Sequence, residues 1–169
     1  MKMMLVILIL IISIISVTFS VKQIKRHTIA IRQCLLMVEN IEIYLSYNNV
    51  SISELFFILD KSCLFSELYF IKAILLNVKN GSSDMILNDR TSNCIDSSVV
   101  FDANDKEYIK GFLSMLGKSD INGQILNCKM YKETFRKKLN VLEDKEQDRC
   151  KSISTIILGF GMLLAIIVI

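Results

Sequence analysis

Proline and tryptophan are both absent from this chain, and only six of its 169 residues are glycine. Without proline there is no rigid turn and no obligatory helix breaker, so long uninterrupted helices are favoured. Both ends lack acidic residues, since every Asp and Glu lies between residues 22 and 152. Histidine occurs once, as His27. The five cysteines (Cys34, Cys63, Cys94, Cys128, Cys150) are odd in number, widely spaced and never in a CxxC pair. That pattern supports neither a disulfide framework nor a zinc site. It fits small buried thiols in a reducing compartment.

The patterns that catalysis needs are missing as well. The glycines stand apart, so there is no phosphate-cradling loop. His27 has no Cys, Asp or Ser beside it in the sequence. Asp102 and Asp105 flank a helix start, where carboxylates act as caps. With no nucleophile, acid–base pair, metal-ligand set or cofactor motif, neither an enzyme nor a small-molecule substrate is expected. Nucleic acid is not expected either. The 20 basic residues, less Lys2, stand against 17 acidic ones in the middle of the chain, too even a balance for a concentrated basic face.

What the chain does have is an apolar run at each end. Residues 3–21 contain no charge, and neither do residues 153–169. At ~1.5 Å per residue these helices would be about 28 and 25 Å long, near the hydrocarbon thickness of a bilayer. The expected organisation is a transmembrane helix over 3–21, a soluble helical domain over 22–152 and a second transmembrane helix over 153–169. A cleavable signal peptide is the rival for the first run. Against it, the run is longer than an ordinary signal core, and Lys22, Lys25 and Arg26 follow at once. The same cluster, with Arg149 and Lys151 at the second run, places the domain on the cytoplasmic side. Thr155-x-x-x-Gly159 and Gly161-x-x-x-Ala165 have the spacing that lets membrane helices approach closely, within one chain or between copies in a homo-oligomer.

The middle is helical in rhythm throughout. Ile31, Leu35, Val38, Ile41 and Leu45 form one apolar stripe, which predicts a first helix from the membrane run to about Tyr47, stopped at Asn48-Asn49. Ser51-Ile-Ser-Glu54 caps a short helix to about Asp60. A helix from about Leu64 to Lys79 follows, ended by Asn80-Gly81. Ser83-Asp84 opens a short helix to about Arg90, and the polar stretch 91–98 reads as a loop. Asn104 to Glu107 caps a helix with Tyr108, Phe112 and Met115 on one face. From Ile121 the pattern runs to the end, with Ile125, Cys128, Tyr131, Phe135, Leu139 and Leu142 stepping by three or four. Its other faces carry i,i+4 pairs such as Glu133–Lys137.

One stretch has the form of a motif. Leu116-Gly117-Lys118-Ser119-Asp120, with Gln124 four residues on, reads as a helix stop and restart. Gly117 suits a left-handed backbone position. Asp120 caps the new helix, and Gln124 bonds back to the turn. The result is a tight helical hairpin whose exposed turn is also an interaction candidate.

These residues carry a family resemblance. A membrane helix leads into a basic stretch with Ile31-Arg32-Gln33, and then a helix with Glu39, Glu42 and Tyr44. The hairpin Phe112-x-x-x-Leu116-Gly117-x-Ser119-Asp120-x-x-x-Gln124 follows. A charged helix then feeds Leu158-Gly159-x-Gly161-x-Leu163-Leu164 and an Ile/Val-rich end. The chain resembles the stage III sporulation protein AB family of endospore-forming bacteria over nearly its whole length, with residues 62–103 departing most. The resemblance implies an all-α cytoplasmic bundle, similar to the cytoplasmic domain of type II secretion inner-membrane platform proteins. It implies a place in the mother-cell-derived membrane around the forespore. It also implies a non-enzymatic scaffold in a secretion-like channel complex, linking the cytoplasmic ATPase, stage III sporulation protein AA, to other stage III membrane proteins. A membrane-anchored signalling adaptor with one cytoplasmic partner is the alternative.

Overall fold

The computed structural model describes residues 2–47, 51–79 and 86–168, and their side chains apart from those of 2–6, 9, 10, 147, 164, 165, 167 and 168. Among these residues all regular structure is α-helical: α1 (Lys2–Tyr47), α2 (Ile52–Lys61), α3 (Phe70–Lys79), α4 (Asp89–Asp96), α5 (Ala103–Met115) and α6 (Ile121–Val168). Absence of proline permits the length of α1 and α6, at 46 and 48 residues. The expected stops at Asn48-Asn49 and Asn80-Gly81, and the helix start at Ser83-Asp84, lie outside the described residues, but residues 86–88 of that expected helix are not helical, since Asn88 is the cap of a helix that begins at Asp89.

The chain packs as two compact units, Ile29–Leu139 and the two ends, Met1–Thr28 with Asn140–Ile169. The divisions at 21/22 and 152/153 mark where charge begins, whereas these mark where packing changes.

In the Ile29–Leu139 unit, α1 supplies Ala30, Ile31, Cys34, Met37, Val38 and Ile41 to the core, each at most 1% exposed. Phe56 of α2, Ile74 of α3, Ile95 of α4, Phe112 of α5 and Phe135 of α6 meet them there. Burying each of the larger ones, the Val, Ile, Met and Phe side chains, contributes about 1.5–3 kcal/mol. Helices adjacent in sequence pack together: α2 on α3, α3 on α4, α4 on α5. Ion pairs from Glu42 to Lys132 and from Glu39 to Arg136 set α1 and α6 antiparallel. Glu133 also pairs with Arg136, rather than with the expected Lys137.

Three expectations for the middle are corrected. Residues 64–69 are not helix, and α3 starts only at Phe70. The buried Gln33 explains the delay: its Oε1 accepts the Glu67 N–H at 2.9 Å and its Nε2 donates to Ser66 Oγ at 3.3 Å, which holds 66–67 as a turn. Residues 91–96, expected to be loop, belong to α4. Asn88 caps that helix through the Thr91 N–H at 3.0 Å, and Thr91 and Ile95 are fully buried. Asn77 Nδ2 donates to Thr91 Oγ1 at 3.0 Å, so a polar-looking stretch is tied into the core. Finally, α5 is capped by Asp102 rather than Asn104, in a reciprocal capping box with Asp105. That register buries Asp105, Ile109, Phe112 and Leu113, leaving Tyr108 and Met115 exposed.

In the other unit, apolar side chains of α1 and α6 are exposed: Ile11, Ile15 and Phe19 on one helix, Ile156, Phe160 and Leu163 on the other. Among the described residues no helix is long and apolar enough to cross a membrane. Each apolar run of the sequence also includes side chains outside that set.

Candidate functional site

The hairpin between α5 and α6 lies within the Ile29–Leu139 unit. Gly117 stands at φ +80°, in the left-handed region, which is why a residue without Cβ sits there. Its N–H donates to Gln124 Oε1 at 3.3 Å, and Gln124 Nε2 donates to the Ser119 carbonyl at 2.9 Å. Asp120 Oδ1 accepts the Gly123 N–H at 3.1 Å, and the Asp120 carbonyl accepts the Gln124 N–H at 3.0 Å. Gly117, Ser119, Asp120 and Gln124 therefore come together in one turn. Gln124 is nearly buried, with both ends of its amide engaged by the turn itself. Ser119 and Asp120 remain at the surface.

From this turn the two helices run antiparallel. Phe112 meets Tyr131 edge-on, with ring centroids 5.3 Å apart. At the far end Lys138 reaches Asp102 at 3.1 Å and also pairs with Asp105, which is wholly buried. Burial alone would lower the Lys138 ammonium's pKa, but hydrogen bonds and charge from Asp105 and Asp102 outweigh that and raise it. Burial pushes the Asp102 carboxyl up. The Asp105 N–H and Lys138 pull harder, leaving it below the ordinary carboxylate range. Sequence reading placed the two aspartates at a helix start but missed the lysine from another helix. The Asp102-x-x-Asp105 spacing was the available signal for the cap.

Two thiols adjoin this core. Burial raises the Cys34 thiol well above its ordinary value, with Asp105 adding to the effect. Burial, assisted by the Glu42 charge, pushes Cys128 up to about 12. Both stay protonated near neutrality, so neither supplies a thiolate nucleophile. Cys63 is exposed.

The structure separates the small residues of the second apolar run. Gly161 is buried, and a Cβ there would stand 2.9 Å from Ser13 Cβ and closer still to Ser13 Oγ. Among the described residues nothing lies within 4 Å of the corresponding point on Gly159. Thr155 is exposed and returns its hydroxyl to the Lys151 carbonyl at 3.0 Å. The side chain of Ala165 lies outside the described residues.

Fold and site together define an all-helical protein whose best-formed polar motif closes a helical hairpin. The family model for stage III sporulation protein AB matches residues 2–169, and the chain belongs to that family. No curated protein and no solved structure matches it.

Proposed function

We propose that this chain is a non-enzymatic platform subunit of the stage III sporulation channel complex. Both of its apolar ends sit in the membrane, and its helical domain on the cytoplasmic side links an ATPase to membrane components. Family membership supports the sporulation setting. The observation that carries the membrane part is the exposure of apolar side chains on several sides of both end segments. Ile14, Ile15 and Phe19 are 56–71% exposed, and Phe160, Met162 and Ile166 are 61–69% exposed. A helix apolar all round needs a nonaqueous environment, and lipid supplies one. The domain's ion pairs between α1 and α6 suit a scaffold that holds its own shape while partners pull on it. Similarity to type II secretion platform proteins and the linkage to the ATPase stage III sporulation protein AA belong to this proposal.

Two measurements test it. A tagged full-length chain, extracted from sporulating membranes in mild detergent, should bring down the ATPase and other stage III membrane proteins. Recovery as a lone monomer would argue for an adaptor or for no complex at all. A membrane-impermeant thiol reagent on intact cells should leave the exposed Cys63 unlabelled, and should label it once the membrane is opened. Strong labelling of intact cells would reverse the topology.

A further inference from the structure

The outer face of the α1–α6 pair has a character that the hairpin and the core do not use. Arg136 of α6 bonds Glu39 of α1 at 2.9 Å and Glu133 of its own helix at 3.2 Å. Glu39 and Glu133 therefore border the same side of the seam between the two helices. On α1, one turn beyond Glu39, is Ile43, and one turn further is Tyr47; they are 53% and 83% exposed. On α6, one turn before Glu133 is Met130, and one turn earlier is Leu126, at 52% and 68% exposure. Two apolar stripes thus run along the exposed sides of the two helices that Arg136 ties together. All of these residues belong to the Ile29–Leu139 unit.

The charges on this face are uneven. Its two acids, Glu39 and Glu133, are both held by Arg136. Lys129 and Lys137 lie among the exposed residues of the same α6 stripe, and among the described residues neither has a carboxylate within ion-pair distance. The unsatisfied charge of the face is positive. A second copy docking through the same face in a two-fold pair would set lysines against lysines, an arrangement that like-charge repulsion disfavours.

We propose that this face, with Ile43, Tyr47, Leu126 and Met130 as apolar contacts and Lys129 and Lys137 as charged borders, docks an amphipathic helix of a partner protein. The partner helix presents apolar residues at three- and four-residue spacing, flanked by Asp or Glu. The apolar stripe supplies the contact area of helix-in-groove recognition. The lysines select acidic flanks and speed encounter. The inference rests on the platform reading in one respect only: a scaffold must offer a surface to a protein partner.

The test uses the full-length chain in sporulating cells, with a photoactivatable benzophenone residue replacing Leu126. A second chain carries the same residue at exposed Val99, on the α4–α5 connection. Irradiation at position 126 should give an adduct with another polypeptide, whose cross-linked segment, read by mass spectrometry, has the apolar-plus-acidic pattern. K129E/K137E should cut that adduct at least tenfold while leaving the melting curve and any adduct at position 99 unchanged. An adduct indifferent to the charge reversal would overturn the proposal. So would an adduct with a second copy, an adduct with lipid alone, or none. Failure of the platform reading shows differently, as an absence of the ATPase and other stage III proteins from the wild-type membrane complex, whatever cross-links at position 126.

Discussion

Lys138 of α6 holds the carboxylate of Asp105, a side chain with no exposed surface in the first turn of α5. The pair joins the start of one helix to the middle of another, and Asp102 adds a second contact to the same ammonium. A buried ion pair is weak evidence of net stabilisation, because desolvation offsets much of the attraction. Removing one partner is another matter. Lys138→Met should destabilise the chain, by up to about 3–5 kcal/mol, by taking from a buried carboxylate the Lys138 ammonium that pairs with it. Adding Asp105→Asn should recover most of that loss. Denaturant melts of the four chains in one detergent check this, and additive losses in the double variant would refute the pairing.

The same region sets a pH profile. Asp102 has a folded pKa below the unfolded value of about 3.9, so its contribution is present above that pH and lost as pH falls through the depressed value. Cys34 and Cys128 are raised by burial, so their contribution is intact below the unfolded thiol value of about 8.5 and declines as pH rises above it. Lys138, also raised, acts later: its contribution holds up to about pH 10.4 and is lost as pH climbs through the raised value. Stability should therefore be flat from about pH 5 to 8 and fall on both sides. Cys128→Ala should flatten the first part of the alkaline fall, measured as the slope of melting temperature against pH. An unchanged slope would mean the thiol is not shielded in the fold.

How far the fold was legible depends on where each residue's partners lie. Of the expected α1 stripe Ile31, Leu35, Val38 and Ile41 are buried, and of the α6 stripe Cys128, Tyr131, Phe135 and Leu139, whereas Leu45, Ile125 and Leu142 at the stripe ends are only half-buried. Ser51 caps α2 as its motif predicts. The hairpin was legible because its bonds connect residues at most seven apart. The errors fall where a distant side chain decides. Gln33 fixes a turn 33 and 34 residues away, and Asn77 anchors a helix whose own residues look like loop. Lys138 reaches α5 from 36 residues beyond Asp102. No local pattern encodes those pairings. The α5 register was missed for a smaller reason: Asn104 and Asp102 are both good caps, and the choice fell to the burial of Ile109 and Phe112.

Gly117 invites the most direct test of the hairpin. At φ +80° a β-branched side chain is strained, and a Cβ there would also stand 3.3 Å from Ile52 Cδ1. Gly117→Val should cost ~1–2 kcal/mol through the backbone alone. Gly117→Asn, which tolerates this conformation better, should cost less. Gln124→Leu should loosen the same turn by removing its bonds to the Gly117 N–H and the Ser119 carbonyl. Amide exchange at Gly117, followed by mass spectrometry or NMR, reads this locally. Protection unchanged by Gln124→Leu would remove Gln124 from the turn.

The two glycines of the second apolar run should respond unequally to the same change. Gly161 faces Ser13 so closely that a side chain there must displace its neighbour, whereas Gly159 has nothing within 4 Å among the described residues. Leucine for glycine raises helix propensity equally at either site, so the difference between variants isolates the contact. Gly161→Leu should destabilise the helix pair by about 1–3 kcal/mol, as overpacking does. Gly159→Leu should be near neutral, within roughly 0.5 kcal/mol. A cysteine pair at Ser13 and Gly161 gives a readout independent of melting. It should cross-link within one chain under mild oxidation, and Gly159→Leu should leave that yield unchanged. Equal losses from Gly161→Leu and Gly159→Leu, or cross-links only between separate chains, would mean that Ser13 and Gly161 do not meet within one molecule.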